Sequence, residues 1–220
     1  MLVMAGCSRT KPAEKPAAAP AASTAPTATK PAEIDRTGWP VIVAFGDSLT
    51  TGLGVPVEKN YPSQLQARLD QAGYKYRVVN AGISGDTTAG GLNRIEGVLR
   101  NKPEIVILEL GANDGLQGKD VGQMKQNLAA MIDRLQKEHV TVVLAGMQIT
   151  PNLGPDYTHS FAQVFPDLAD QYKTPLIPFF LDGVAAKPEL NQADGIHPTP
   201  EGYAYVVDNV WKTLQPLLKK

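Results

Sequence analysis

The sequence predicts a three-layer α/β sandwich on a five-stranded parallel sheet, and three observations predict it. Short β-rich apolar runs alternate with helix-spaced patterns from Val41 onward. One of those runs, Ile105-Val106-Ile107-Leu108, carries no polar residue, which suits a strand buried on both faces. Alternation of strands with helices calls for right-handed crossovers, which cover both faces of a parallel sheet.

The first strand is Val41 to Phe45. A helix follows over Tyr61 to Gln71, where Tyr61, Leu65 and Leu69 stand four apart and Gly73 can end it. Arg77 to Asn80 is the second strand, Thr88 to Arg100 a helix, and Ile105 to Leu110 the third strand. The clearest helix comes next: Val121, Met124, Leu128, Met131, Ile132 and Leu135 recur at helical spacing behind Asp120, a favoured N-cap. Thr141 to Ala145 is the fourth strand, Thr158 to Tyr172 a helix, Pro175 to Phe180 the fifth strand and Pro200 to Leu218 the last helix.

With 220 residues, 43% hydrophobic and 20% charged, the chain has the composition of a soluble globular protein, which excludes a disordered or collagen-like one. Its 21 basic and 22 acidic residues leave a net charge of -1, so the charge balance recruits neither nucleic acid nor an anionic membrane surface. One cysteine, Cys7, allows no intrachain disulfide and no Cys-rich zinc site, and three scattered histidines suggest no metal site. Neither a metal nor a cofactor is expected. No stretch reaches the roughly 18 to 20 apolar residues of a spanning helix.

Of the 30 residues from Ser8 to Thr37, 21 are Ala, Pro, Ser or Thr, leaving too little apolar surface to offset chain entropy. Residues 8–37 are therefore expected to be a disordered linker, and 38–220 the domain. Before the linker, Leu2-Val3-Met4-Ala5-Gly6-Cys7 resembles the end of a bacterial lipoprotein signal, in which small residues precede a cysteine that becomes lipidated. The resemblance implies a membrane tether through Cys7 and a periplasm-facing place in the bacterial envelope. The alternative is an exposed thiol in a ragged terminus.

In parallel sheets, ligands gather beyond the carboxyl ends of the strands. There the sequence offers Gly46-Asp47-Ser48-Leu49, Gly82-Ile83-Ser84-Gly85-Asp86 and Gly111-Ala112-Asn113-Asp114, with Asp194-Gly195-Ile196-His197-Pro198 before the last helix. Each is weak alone; in this order they reinforce one another. The set resembles the SGNH, or GDSL, hydrolase family from about Val41 to Leu218, most of all its bacterial thioesterase I, arylesterase and lysophospholipase branch. Gly85 lies within Ile83-Ser84-Gly85-Asp86-Thr87 and Asn113 within Glu109-Leu110-Gly111-Ala112-Asn113-Asp114-Gly115, where Ala112 occupies a position that is often glycine in the branch. The resemblance implies a flavodoxin-like fold and metal-free hydrolysis of esters or thioesters by a serine nucleophile. It also implies that Ser48, Gly85, Asn113 and His197 mark the conserved blocks, with Asp194 completing the triad.

The residues make chemical sense on their own. A free hydroxyl is a poor nucleophile, so Ser48 needs a base, and His197 has the side chain whose ordinary pKa suits proton shuttling. Asp194, three residues earlier, can fix the imidazole tautomer. The Ser48 and Gly85 N–H groups and the Asn113 amide are candidate oxyanion donors on separate loops.

Plainer readings compete at several positions. Ser48 could be only an N-cap, and His197 only an exposed loop residue. Asp47 is expected to brace a turn, and Asp114 to form an Asx turn. His139 is expected to complement the helix dipole, His159 to follow a Pro/Gly-rich loop over residues 150–157 without being favoured as a substrate contact, and Ser84 to belong to the oxyanion loop. Phe179, Phe180 and Leu181 are expected in the core. The expected substrate is a small-molecule acyl ester or thioester, lysophospholipids included. A carbohydrate O-deacetylase and a non-catalytic ligand-binding envelope lipoprotein are the alternatives.

Overall fold

Five strands form one all-parallel sheet in the order β2-β1-β3-β4-β5: β1 is Val41–Gly46, β2 Arg77–Gly82, β3 Pro103–Glu109, β4 Thr141–Ala145 and β5 Leu176–Ile177. This computed structural model describes residues 1–3 and 34–220. The chain divides into two units, Met1–Asp35 and Arg36–Lys220. In the first, the described residues 1–3 and 34–35 carry no helix or strand. Cys7 and residues 8–33 of the expected linker lie outside the described residues.

The sheet order is that of flavodoxin-like folds, and it reverses direction between β1 and β3, where ligands of such sheets bind. Both strands at that point are almost wholly buried, while β2, at one edge, exposes Arg77 and Asn80. Right-handed crossovers put α2 (Tyr61–Gln71) and α8 (Pro200–Leu214), which pack together, on one face. The other face carries α3 (Thr88–Asn93), α4 (Ile95–Leu99), α6 (Val121–Lys137) and α7 (Pro155–Tyr172). The helix α6 buries Met124, Leu128, Met131, Ile132 and Leu135 along one stripe, and the Asp120 carboxylate caps it by accepting from the Gln123 N–H at 2.7 Å. Among the described residues no helix is long and apolar enough to cross a membrane.

Several boundaries differ from expectation for local reasons. Strand β5 keeps only Leu176–Ile177 because prolines at 175 and 178 bracket it, and proline has no N–H for the ladder. The last helix stops at Leu214 and continues as a 3-10 turn, Gln215–Leu217, at Pro216. The helix α7 starts three residues early, at Pro155, since proline suits a first helical turn. The helix expected over Thr88 to Arg100 is two helices, broken at Arg94 (φ -111, ψ 10). His139 stands just past α6 in a left-handed conformation (φ 59), its N–H donating to the Gln136 carbonyl.

Candidate active site

The chain leaves β1 through Gly46 and enters the one-turn helix α1 (Ser48–Thr51), which begins at the nucleophile candidate. Asp47 caps α1, accepting from the Leu49 N–H at 3.0 Å. Gly46 makes this tight turn possible: a Cβ there would meet the Thr50 hydroxyl and stand 2.5 Å from the Glu109 carbonyl oxygen. Ser48 is 9% exposed and opens onto a cleft of about 510 Å³ at the carboxyl ends of the strands.

His197 comes from the loop before α8. An isolated antiparallel bridge, Asn191 to Pro198, closes that loop, and the Gln192 amide ties it to Leu53 O at 2.7 Å and Pro198 O at 3.0 Å. Gly195 (φ +75) turns the chain so that Asp194 Oδ1 accepts from the N–H groups of Ile196 and His197. Asp194 Oδ2 lies 2.7 Å from His197 Nδ1, and His197 Nε2 lies 2.8 Å from Ser48 Oγ. The carboxylate fixes the tautomer: Nδ1–H donates to Asp194, leaving Nε2 to accept from the serine hydroxyl. The His197 hydrogen bond, aided by the two backbone donors, holds the Asp194 carboxyl down at about 2.

Gly85 and Asn113 line the same cleft as Ser48 and His197, and Asp194 stands behind the imidazole, so the five sequence-predicted residues converge from four separate loops. Gly85 has φ +79, a conformation glycine adopts without strain, and a Cβ there would meet nothing within 4 Å. Glycine is therefore demanded by the backbone angle, and not by crowding from the protein. Both hydrogens of the Asn113 amide are engaged, with Asp47 Oδ2 at 3.0 Å and the Asp86 carbonyl at 2.9 Å.

Asp47 is thus more than a turn brace, since it joins the helix that begins at Ser48 to Asn113. Burial pushes its carboxyl up to about 6, against the opposing pull of Leu49 N–H, His197 and Asn113. Behind it lies Glu109, fully buried, whose Oε2 accepts from Thr50 Oγ1 at 2.8 Å and from Asp47 N–H at 3.3 Å. Burial first, then the neighbouring Asp47, raises the Glu109 carboxyl well above the usual range.

Three expectations are corrected. Asp114 forms no simple Asx turn: it is buried and accepts from both Thr88 N–H (2.8 Å) and Thr88 Oγ1 (2.7 Å), tying α5 (Ala112–Leu116) to α3. Of the three residues assigned to the core, only Phe180 is fully buried; Phe179 and Leu181 face the cleft, because they flank Phe180 on a chain that has already left β5. Residues 155–157 of the expected loop are helical, while His159, exposed and absent from the cleft lining, stands as expected. Ser84 is exposed and pairs with Thr51 Oγ1 at 2.9 Å. Sequence reasoning also leaves out the apolar walls Leu116, Met147 and Ile149. The last two follow β4 and obey the same carboxyl-end rule as the polar blocks, but apolar identity gave no chemical signal. Among the described residues no group of three His, Cys, Asp or Glu side chains is placed to hold a metal ion.

Residues 44–205 match the model of the GDSL-like lipase/acylhydrolase family. The chain is 47% identical to esterase TesA of Pseudomonas aeruginosa across 80% of this chain and 89% of that protein, and 38% identical to an arylesterase of Vibrio mimicus across 79% and 87%. The crystal structure of TesA superposes with a TM-score of 0.78 at 46% identity, covering 81% of this chain and 99% of that one. Esterase EstA of Pseudoalteromonas sp., solved with monoethylphosphonate as inhibitor, gives 0.77 at 31% identity, covering 80% and 97%. Whole-domain matches at these identities mean that the chain belongs to the GDSL-like lipase/acylhydrolase family.

Proposed function

We infer that the chain is an esterase or thioesterase that cleaves acyl esters through a covalent acyl-enzyme, with Ser48 as nucleophile. The observation that carries this is the unbroken hydrogen-bond line from Asp194 through His197 to Ser48. Ser48 Oγ attacks the acyl carbonyl while His197 Nε2 takes its proton. The carbonyl oxygen gathers negative charge, which the Ser48 and Gly85 N–H groups and the Asn113 amide stabilise. Because both Asn113 hydrogens already have acceptors, the oxyanion shares or displaces one of those bonds, and Asp47 fixes where the amide waits. His197 then protonates the departing alcohol or thiol, and water, deprotonated by His197, clears the acyl group.

The cleft beside Ser48 is walled by Leu53, Leu116, Met147, Ile149, Phe179 and Leu181. Apolar walls favour an acyl chain over a sugar, whose hydroxyls need convergent polar partners. On this basis kcat/KM for p-nitrophenyl esters should rise from acetate to octanoate. A p-nitrophenyl phosphonate should stop turnover with one adduct, mapped by mass spectrometry to Ser48. An adduct on another serine, Ser84 included, or no adduct with activity retained would overturn the nucleophile assignment. Activity confined to acetyl groups on sugars would replace the acyl-ester reading with the deacetylase one.

The tether is proposed on sequence alone: Cys7, preceded by small residues and followed by the Ala- and Pro-rich stretch, supports a lipidated anchor facing the periplasm. Labelled palmitate should enter the wild-type chain in bacteria and not Cys7→Ser. Equal labelling of both, or of neither, would remove the tether from the account.

A further inference from the structure

Arg94 interrupts what the sequence spacing presents as one helix, and its guanidinium is engaged at the sheet edge instead. Nε donates to Asp86 Oδ2 at 2.7 Å, one terminal nitrogen to the Ala81 carbonyl at 2.6 Å and the other to the Gly46 carbonyl at 2.9 Å. The group also lies 4.4 Å from the centre of the Phe45 ring. Its side chain is 21% exposed and that of Asp86 only 11%, so water competes little for these bonds.

Each acceptor adjoins a candidate oxyanion donor. Gly46 is two residues before Ser48. Ala81 is the penultimate residue of β2, just before the loop that carries Gly85. Asp86 directly follows Gly85, and its carbonyl in turn accepts from the Asn113 amide at 2.9 Å. The loop also returns to β1 through Ile83 N–H to Gly46 O. One planar cation therefore meets the segments holding the Ser48 and Gly85 donors directly, and the Asn113 donor through Asp86.

We propose that Arg94 is a positioning residue for the oxyanion hole, setting the spacing of its three donors. The proposal rests on the serine-hydrolase reading above. Arg94 touches neither the triad nor the acyl walls, so its contribution falls on the transition state and not on substrate binding. Lysine cannot replace it, because a single ammonium lacks the fork that reaches three acceptors in different directions.

The test is a kinetic cycle on the full chain with p-nitrophenyl butyrate, comparing wild type, Arg94→Lys, Asn113→Ala and the double variant. Arg94→Lys should lower kcat about 10- to 100-fold, below the 10²- to 10³-fold of losing a whole donor, with KM within about twofold. In the Asn113→Ala background the same change should cost several-fold less, because one of the donors it positions is gone. Equal cost in both backgrounds, or a loss expressed mainly in KM, would overturn the proposal. Should Arg94→Lys fail to fold, judged by its melting transition, Asp86→Asn enters the same cycle with the same criteria. Wild type that hydrolyses no ester and takes no phosphonate would instead sink the underlying function, so the two failures are distinguishable.

Discussion

Replacing His197 by alanine is expected to lower kcat by about 10⁶-fold, and adding Ser48→Ala to that variant to cost almost nothing more. On the proposed mechanism the two groups act as one unit. Ser48 Oγ is 2.8 Å from His197 Nε2, the only base within hydrogen-bond reach of that hydroxyl among the described side-chain contacts. Without the imidazole the hydroxyl keeps its proton, and without the hydroxyl the imidazole has nothing to activate. Asp194→Asn should cost less, about 10⁴-fold in kcat, by a different route. An amide facing Nδ1 can offer N–H where the carboxylate offers only lone pairs, which turns the tautomer and points Nε2–H at Ser48. The check is kcat on p-nitrophenyl butyrate for the three single variants and the Ser48/His197 double. Multiplicative losses in the double, or more than one-hundredth of wild-type rate in His197→Ala, would show that the triad is not the reacting unit.

The pH behaviour of the Asp194 contact follows from its sign. Its folded-state carboxyl lies at about 2, below the ordinary 3.8. Its stabilising contribution is therefore present above about 3.8 and is lost as pH falls towards 2. Asp194 stays ionised near neutrality.

The parts of this protein legible in its sequence are those that local rules determine. The Thr141–Ala145 strand, the Tyr61–Gln71 helix and the Val121–Lys137 helix match expectation because periodicity and caps act within one element. Ser48, Asp194 and His197 could be singled out together because each residue type stands at a strand end or in the last loop, and the structure brings the three within hydrogen-bond reach. What escaped depends on contacts far apart in the chain. The break at Arg94 reflects bonds to Gly46 and Ala81, 48 and 13 residues away. The cleft walls escaped because phenylalanine and leucine have the same identity whether they face the core or a cavity; Phe180 is buried while its neighbours line the cleft. The one-turn helix at Ala112 follows Gly111 at φ +119, a turn that five residues of sequence do not announce.

Glu109 escaped for the same reason, and it carries the second large expectation: Glu109→Gln should lose clearly less stability between pH 5 and pH 8 than wild type does. The carboxyl lies at the end of β3 with 0% exposure, facing the buried Asp47 cap. Oε2 accepts two hydrogen bonds and buried Oε1 has no partner, so the ionised form would leave charge without a donor at Oε1. Tyr61 and Tyr203, pushed up by burial, stay neutral beside it and supply no cation. Both carboxyls are raised in the folded state, so folding binds protons and stability falls as pH climbs from the ordinary carboxylate range through the folded values. For Asp47, raised from 3.8 to about 6, the loss accumulates between those two values and totals about 3 kcal/mol, part of it falling between pH 5 and pH 8. Glutamine is nearly isosteric and its oxygen can accept the same two bonds. It removes the Glu109 share of the pH dependence while the burial-driven shift of Asp47 remains, so the slope should flatten in Glu109→Gln without vanishing. Urea-unfolding midpoints at pH 5 and pH 8 decide this, and equal pH slopes for the two proteins would refute it. The cost is carried where the chemistry is: the same Asp47 that folding would rather protonate caps the Ser48 helix and holds the Asn113 amide, and both contacts favour its ionised form.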